Sequence, residues 1–280
     1  MITIKRLLDT TRALLTNPRA LAIFAVLYAV LLATLYGFIS IREATIWQVA
    51  VTMLFVVLIP LEFFVLQAAI LQHSRADKFP WTQLIRDAIK LAVVTIPVIL
   101  IGFLLVYLLN KLQVRFPVPA VAALPVAAGP PKQAPLHLPT VLFATLRFLL
   151  LGLVLPLATI HLWIEVTAHD LRTSLAGGAK PLLKRIGNAL ARALAFDSVL
   201  IYALGLIVFV LIPYAILFVP LSPKGTKTDF AVFIARLLLV YLFSLIGWVV
   251  TLSALARTAA EGSPAVSAST VPDTPIEAPA

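Results

Sequence analysis

Six times along the chain, apolar residues run on for about 20 positions, the length an α-helix needs to cross the hydrocarbon core of a bilayer. The first run lies between Arg19 and Arg42 and holds no charge. The others occupy about residues 44–72, 91–110, 140–168, 198–221 and 237–256. They are continuous rather than alternating, which excludes the in–out strand pattern of a membrane barrel. Hydrophobic residues make up 61% of the chain, against roughly 45–50% in soluble domains, and charged residues only 12%. Too little polar surface is left to face water, so a soluble enzyme is excluded. The expected fold is an all-α polytopic bundle of six transmembrane helices. The absence of cysteine removes disulfides, thiolate chemistry, iron–sulfur clusters and zinc fingers together.

Lysine and arginine in short loops stay on the cytoplasmic side of a membrane. Placing the N-terminus there gathers three clusters on that side: Lys5, Arg6, Arg12, Arg19; Arg75, Lys78, Arg86, Lys90; and Arg172, Lys180, Lys184, Arg185, Arg192. Cations on the other side, such as Arg42, Lys132 and Lys224, are scattered. Both termini are therefore expected in the cytoplasm. The net charge of +10 reads as this bias plus attraction to anionic lipid headgroups, which makes the bilayer itself the expected partner. Without a folded basic domain, nucleic acid is not expected, and nothing specifies an oligomer. The first run is too long for a secretory h-region and ends in no small-residue cleavage site, so it reads as retained.

Outside the runs, Ile4, Leu7, Leu8, Thr11, Leu14 and Leu15 recur at helical spacing, which predicts an amphipathic interfacial helix over 2–15 within residues 1–19. Asn17-Pro18 ends it. A second interfacial helix is predicted between Pro181 and Phe196, with Leu182, Leu183, Ile186, Leu190 and Leu194 on one face. A shorter one, Thr82 to Lys90, precedes the third span, with Trp81 at headgroup depth. Prolines 117, 119, 125, 130, 131, 135 and 139 make residues 112–139 an irregular outside loop. Residues 258–280, rich in Ala, Ser, Pro and Thr, read as a disordered cytoplasmic tail.

Aligning Pro60 with Pro156 brings His73 onto His169 and Arg75 near Arg172, and further on Leu84-Ile85-Arg86-Asp87 matches Leu194-Ala195-Phe196-Asp197. This suggests an internal repeat of span, elbow and span, parallel about an axis along the membrane normal. The opening helix ending in Asn17-Pro18, the run Gln67 to Arg75 and the run Trp81 to Ala88 together resemble a broad group of uncharacterised prokaryotic six-span proteins. The membrane domain fused to some glycerophosphodiester phosphodiesterases is similar. The likeness covers about residues 5–257, and no phosphodiesterase domain is present, so that activity does not carry over. The resemblance implies architecture and a prokaryotic plasma membrane, and no defined chemistry.

Three side chains form a candidate polar site inside the spans: Glu62, His161 and Glu165. Glu62 lies 13 residues before Arg75, about 20 Å from the flank at 1.5 Å per residue. A carboxylate at that depth marks a proton or substrate path, or else is protonated or hydrogen-bonded and helps helices pack. His161, Glu165 and His169 share one helix face at i, i+4 and i+8. The outer two are about 12 Å apart along the axis, so at most two can serve one ion. Arg147 and Arg236 read as snorkelling interface residues. Prolines 60, 97, 156 and 213 lie within spans, where each frees a backbone carbonyl. No GxxxG motif occurs, and Gly102, Gly152, Gly205 and Gly247 stand alone. No catalytic fingerprint, cofactor motif or metal site is identified. The expectation is a non-catalytic scaffold, assembly or lipid-contacting component. The alternative is a small transporter, proton-coupled through Glu62 and His161.

Overall fold

Lipid tails offer no hydrogen bonds, so a chain built to cross them must satisfy its backbone within each segment, and helix is the local solution. The computed structural model describes residues 2–42, 45–75, 80–116, 138–168, 179–219 and 225–261, and every element within them is helical. Helix α1 (Ile2–Leu15) is followed by α2 (Pro18–Ser40), α3 (Ile46–His73) and α4 (Trp81–Gln113). Then come α5 (Leu138–Ala168), α6 (Ala179–Ala193), α7 (Phe196–Phe218) and α8 (Thr226–Glu261). Six of these, all but α1 and α6, are long and apolar enough to cross a membrane. The all-α, multi-pass expectation holds.

Local chemistry sets several boundaries. Asn17 accepts from the Ala20 amide at 3.1 Å and Pro18 takes the first helical position of α2. Thr45 and Gln48 form a capping box at the start of α3. The predicted elbow Thr82–Lys90 is not a separate element. It is the first part of the continuous 33-residue α4, because no glycine or proline interrupts the chain between Trp81 and Ile96 and an established helix propagates. Helix α8 likewise runs past the predicted 237–256, so residues 258–261 are helical rather than tail. The rest of the tail, most of the proline-rich loop, His169 and Arg172 lie outside the described residues.

The four intraspan prolines divide into two kinds. Pro60 and Pro97 sit within unbroken α-helix. Pro156 and Pro213 each follow a π-helical stretch, Phe148–Val154 and Ile207–Leu211. A proline leaves the carbonyl four residues before it without its usual donor. Here the i→i−5 ladder of each π-helical stretch instead runs up to the residue before the proline, Leu155 N–H to Leu150 and Ile212 N–H to Ile207. The Tyr202 hydroxyl donates to Gly152 at 3.3 Å, and the Ser244 hydroxyl donates to Phe209 at 3.5 Å, the second a long contact. Neighbouring helices thus donate to a carbonyl within each π-helical stretch.

Arg6 and Glu261 form an ion pair at 2.6 Å, which places the first helix beside the end of α8. Both described termini therefore lie at one end of the bundle. Buried side chains concentrate there too. Most fall in the first half of α2, α4 and α7 (Phe24, Leu84 to Thr95, Ser198 to Gly205). In α3, α5 and α8 they fall in the second half (Phe64 to Leu71, Leu157 to Ile164, Leu245 to Ala259). In antiparallel succession these halves share the termini-bearing end. Their sequence explains it. Ala68, Ala69, Ala88, Ala158, Gly205, Gly247, Thr251 and Ala254 are small, and in lipid helices associate where small residues let backbones approach.

Toward the opposite end the residues are bulky. Val56, Val57, Leu100, Phe103, Leu142, Phe148, Leu238 and others stand exposed. Packing there is mostly within sequential pairs: α2 on α3, α4 on the start of α5, and the end of α7 on α8. The bundle is thus a knot of six helices at one end and three helix hairpins at the other.

The two proposed repeat units pack differently. Helix α3 lies along α4, whereas α5 and α7 touch only briefly and α6 packs on α5.

Candidate functional site

At the termini-bearing end, polar side chains meet across helices one pair at a time. Trp248 Nε1 on α8 donates to Gln67 Oε1 on α3 at 2.8 Å, and Gln67 is only 1% exposed. Trp163 Nε1 on α5 donates to Thr95 Oγ1 on α4 at 2.8 Å. Gln72 Nε2 on α3 donates to Asp87 Oδ2 on α4 at 3.1 Å, and Lys90 Nζ reaches the other oxygen at 3.1 Å. The Tyr241 hydroxyl on α8 donates to the Ala25 carbonyl on α2. Thr3 Oγ1 on α1 donates to Asp197 Oδ1 at the start of α7 at 2.8 Å. Each bond brings one acceptor and one donor out of hydrocarbon together, which is why such pairs hold membrane helices in register.

Below this lattice, at the bundle's edge, is a cavity of about 480 Å³ between the ends of α3, α5 and α8 and the flank of α6. Arg75, Arg192 and Arg257 line it with Glu165 and Glu261. Arg75 Nη2 donates to the Ile164 carbonyl at 2.6 Å, and Arg192 pairs with Glu165 at 3.4 Å. Burial pulls the Arg75 guanidinium below its ordinary range, opposed by the charges of Asp87 and Glu165. A guanidinium nonetheless stays cationic at any physiological pH. Three helices end around this cavity, each presenting a negative pole of about half a charge. The arginines match those poles and the carbonyls behind them. Among the described residues Ser74 is the one hydroxyl in the lining, and it donates to Leu71 of its own helix at 2.7 Å. These residues build the cavity as a charged cap for helix ends.

The sequence-predicted residues are not brought together. Glu62 lies across from α2, where its Oε1 accepts from Thr34 Oγ1 at 3.0 Å while Oε2 is buried with no partner. His161 is 2% exposed in the packed half, with no partner for Nε2. No hydrogen bond or ion pair joins Glu62 to His161 among the described residues. Glu165 turns to α6 through Arg192. The three candidates therefore diverge to α2, the bundle interior and α6. His73 packs edge-on against Phe24 with centroids 5.5 Å apart. Among the described residues, no group of three or more His, Cys, Asp or Glu is placed to hold a metal ion.

Arg147 and Arg236 do more than reach for water. Arg147 Nη2 donates to Asn110 and to Gln113 of α4, each at 2.6 Å. Arg236 on α8 donates to the Leu217 and Val219 carbonyls and so caps α7. Sequence reasoning missed Asp87, which is 3% exposed, and the two tryptophan acceptors, Gln67 for Trp248 and Thr95 for Trp163. An amide inside the apolar run Val65 to Leu71 was a readable signal for Gln67. Thr95 carried none, since threonine is common in helices that bond their own carbonyls, as Thr95 does to Leu91.

No family model matches the chain, and no curated protein or solved structure is significantly similar to it.

Proposed function

We propose that this chain is a non-catalytic, lipid-contacting component of a prokaryotic plasma membrane, with both termini in the cytoplasm. The observation that carries the reading is the division of labour along the bundle axis. Several polar groups of the termini-bearing half join helix to helix, and the other half offers bulky apolar side chains. A surface of that kind is solvated by acyl chains, not water. The lysine and arginine clusters near α1, α4 and α6 support a cytoplasmic, anionic-headgroup environment for the braced end.

A second reading, a small proton-coupled transporter, draws on the unpartnered Glu62 Oε2 and His161 Nε2. The cysteine-free chain separates the two. Single cysteines at Thr34, Glu62 and Ala158 in membrane vesicles are treated with a membrane-impermeant thiol reagent, with one at Arg257 as the accessible control. The lipid-contacting reading expects modification at Arg257 alone. Modification at Glu62 or Ala158 would establish a wet path and replace it with the transporter.

A further inference from the structure

An apolar groove of about 570 Å³ runs between α1, the first part of α7 and the middle of α8. The volume falls in the range of built ligand sites, about 300–1,000 Å³. Its walls are Ile4 and Leu8 on α1, Leu204 on α7, and Leu242, Phe243 and Ile246 on α8. The floor is the α7–α8 seam, where Gly205 and Gly247 let the helices close together. Helix α1 is seated by one edge of its apolar set, with Leu7 and Leu14 packed on the core. Thr3, Thr10 and Leu14 are buried against the bundle, while Ile4 and Leu8 are 54% and 64% exposed along the groove rim. The Thr3–Asp197 bond and the Arg6–Glu261 ion pair tie this face to α7 and α8.

We infer that the groove holds one acyl chain of an anionic phospholipid from the leaflet at the termini-bearing end. This rests on the lipid-contacting reading above and specifies it. The lining of α8 extends from Leu239 to Thr251, about 18 Å at 1.5 Å per residue. One leaflet contributes about 15 Å of hydrocarbon, half of a core about 30 Å thick. The groove opens beside the interfacial helix and runs toward the bilayer centre, the course an acyl chain takes from its headgroup. A second copy of this chain would bring a helix about 10 Å wide, and α1 already walls that approach. At the mouth, Lys5 and Arg12 flank Leu8 at i−3 and i+4, both exposed, with Asp9 between them, so the rim carries one net positive charge. A headgroup phosphate meets that rim when the chain tail occupies the groove.

The test uses the full chain reconstituted in bilayer discs of equal phosphatidylcholine and phosphatidylglycerol, released into mild detergent and weighed intact by native mass spectrometry. The expected species is a monomer with one phospholipid, phosphatidylglycerol favoured about fivefold, the factor for one net charge at a membrane surface. Leu242→Trp and Leu8→Trp, which fill the groove from opposite walls, should each lower retained lipid at least fivefold. Leu8 is exposed, so its substitution leaves the bundle intact. Ile99→Trp, on an exposed face of α4, should retain lipid like the wild type. A K5Q variant, which leaves the rim with no net charge, should keep a lipid and lose the headgroup preference. Wild type without retained lipid, retention unchanged in both groove variants, or a lipid-free dimer would overturn the inference. Equal retention of the two lipids by wild type would overturn the headgroup assignment. Thiol modification at Glu62 decides the broader reading independently, so the two failures are distinguishable.

Discussion

Replacing Gly205 with alanine puts the α7–α8 seam under direct strain. A Cβ at position 205 would lie 2.2 Å from Thr251 Oγ1, 2.7 Å from its Cγ2 and 3.0 Å from its Cβ. Thr251 cannot swing away freely, because its hydroxyl donates to the Gly247 carbonyl at 2.6 Å and any rotation that keeps a heavy atom toward α7 renews the clash. Overpacking of this kind costs about 1–3 kcal/mol. Alanine's better helix propensity offsets about 1 kcal/mol of that. The 2.2 Å approach puts the cost in the upper part of that range, about 2–3 kcal/mol, so the net expectation is a loss of about 1–2 kcal/mol, or roughly 2–8 °C in thermal midpoint for a chain of this size. Circular dichroism melting in detergent measures it. Two controls isolate the cause. Gly187→Ala, where an added Cβ meets nothing within 4 Å, should be neutral or stabilising by up to about 1 kcal/mol. The double variant G205A/T251A removes both clashing atoms and should be more stable than the sum of its single changes predicts, with coupling of about 1 kcal/mol. A wild-type melting curve for G205A, or the absence of any coupling to Thr251, would refute the reasoning.

Three further changes probe the lattice. Tyr202→Phe removes the hydroxyl donor to the Gly152 carbonyl and should cost about 0.6–1.7 kcal/mol; an unchanged melting curve would count against the pairing. Gln67→Leu strands the Trp248 indole N–H and should lower stability by about 1 kcal/mol while shifting Trp248 emission; an unchanged melting curve and spectrum would show the bond to be idle. Glu165→Gln weakens a partly exposed ion pair, so global stability should drop by only about 0–1 kcal/mol, yet amide hydrogen exchange in α6 should rise because Arg192 is one of its ties to α5. Exchange in α6 identical to wild type would reject that role.

Six spans, their order and the opening amphipathic helix were legible because lipid imposes one solution on each apolar run, and length alone reveals it. What the pattern could not reveal was contact. The spacing of Ile4, Leu7, Leu8, Leu14 and Leu15 located α1, but not the Thr3–Asp197 bond or which of those leucines turn inward: Leu7 and Leu14 pack on the core while Ile4 and Leu8 stay exposed. Gly205 and Gly247 look isolated in a linear reading, yet they share one seam because α7 and α8 are antiparallel neighbours. Asp87 reads as part of a polar elbow with Arg86 and Lys90, and only the unbroken course of α4 buries it. For Glu62 the depth was readable from residue counts, but its partner Thr34 depends on the register of the α2–α3 hairpin. The groove beside α1 had no sequence signature at all, because its walls come from three helices far apart in the chain.

The central claim is that the bundle is braced at its termini-bearing end and bathed by lipid, not water, beyond it. A nitroxide scan along α3 tests this most directly, comparing relaxation by oxygen, which enters bilayers, with relaxation by a water-soluble nickel chelate. Labels at Val51, Met53, Leu54 and Val57, all exposed, should respond strongly to oxygen and not to nickel, and labels at Ala68 and Ala69 should be shielded from both. A nickel response anywhere between Val51 and Glu62 would place water inside the bundle and contradict the account.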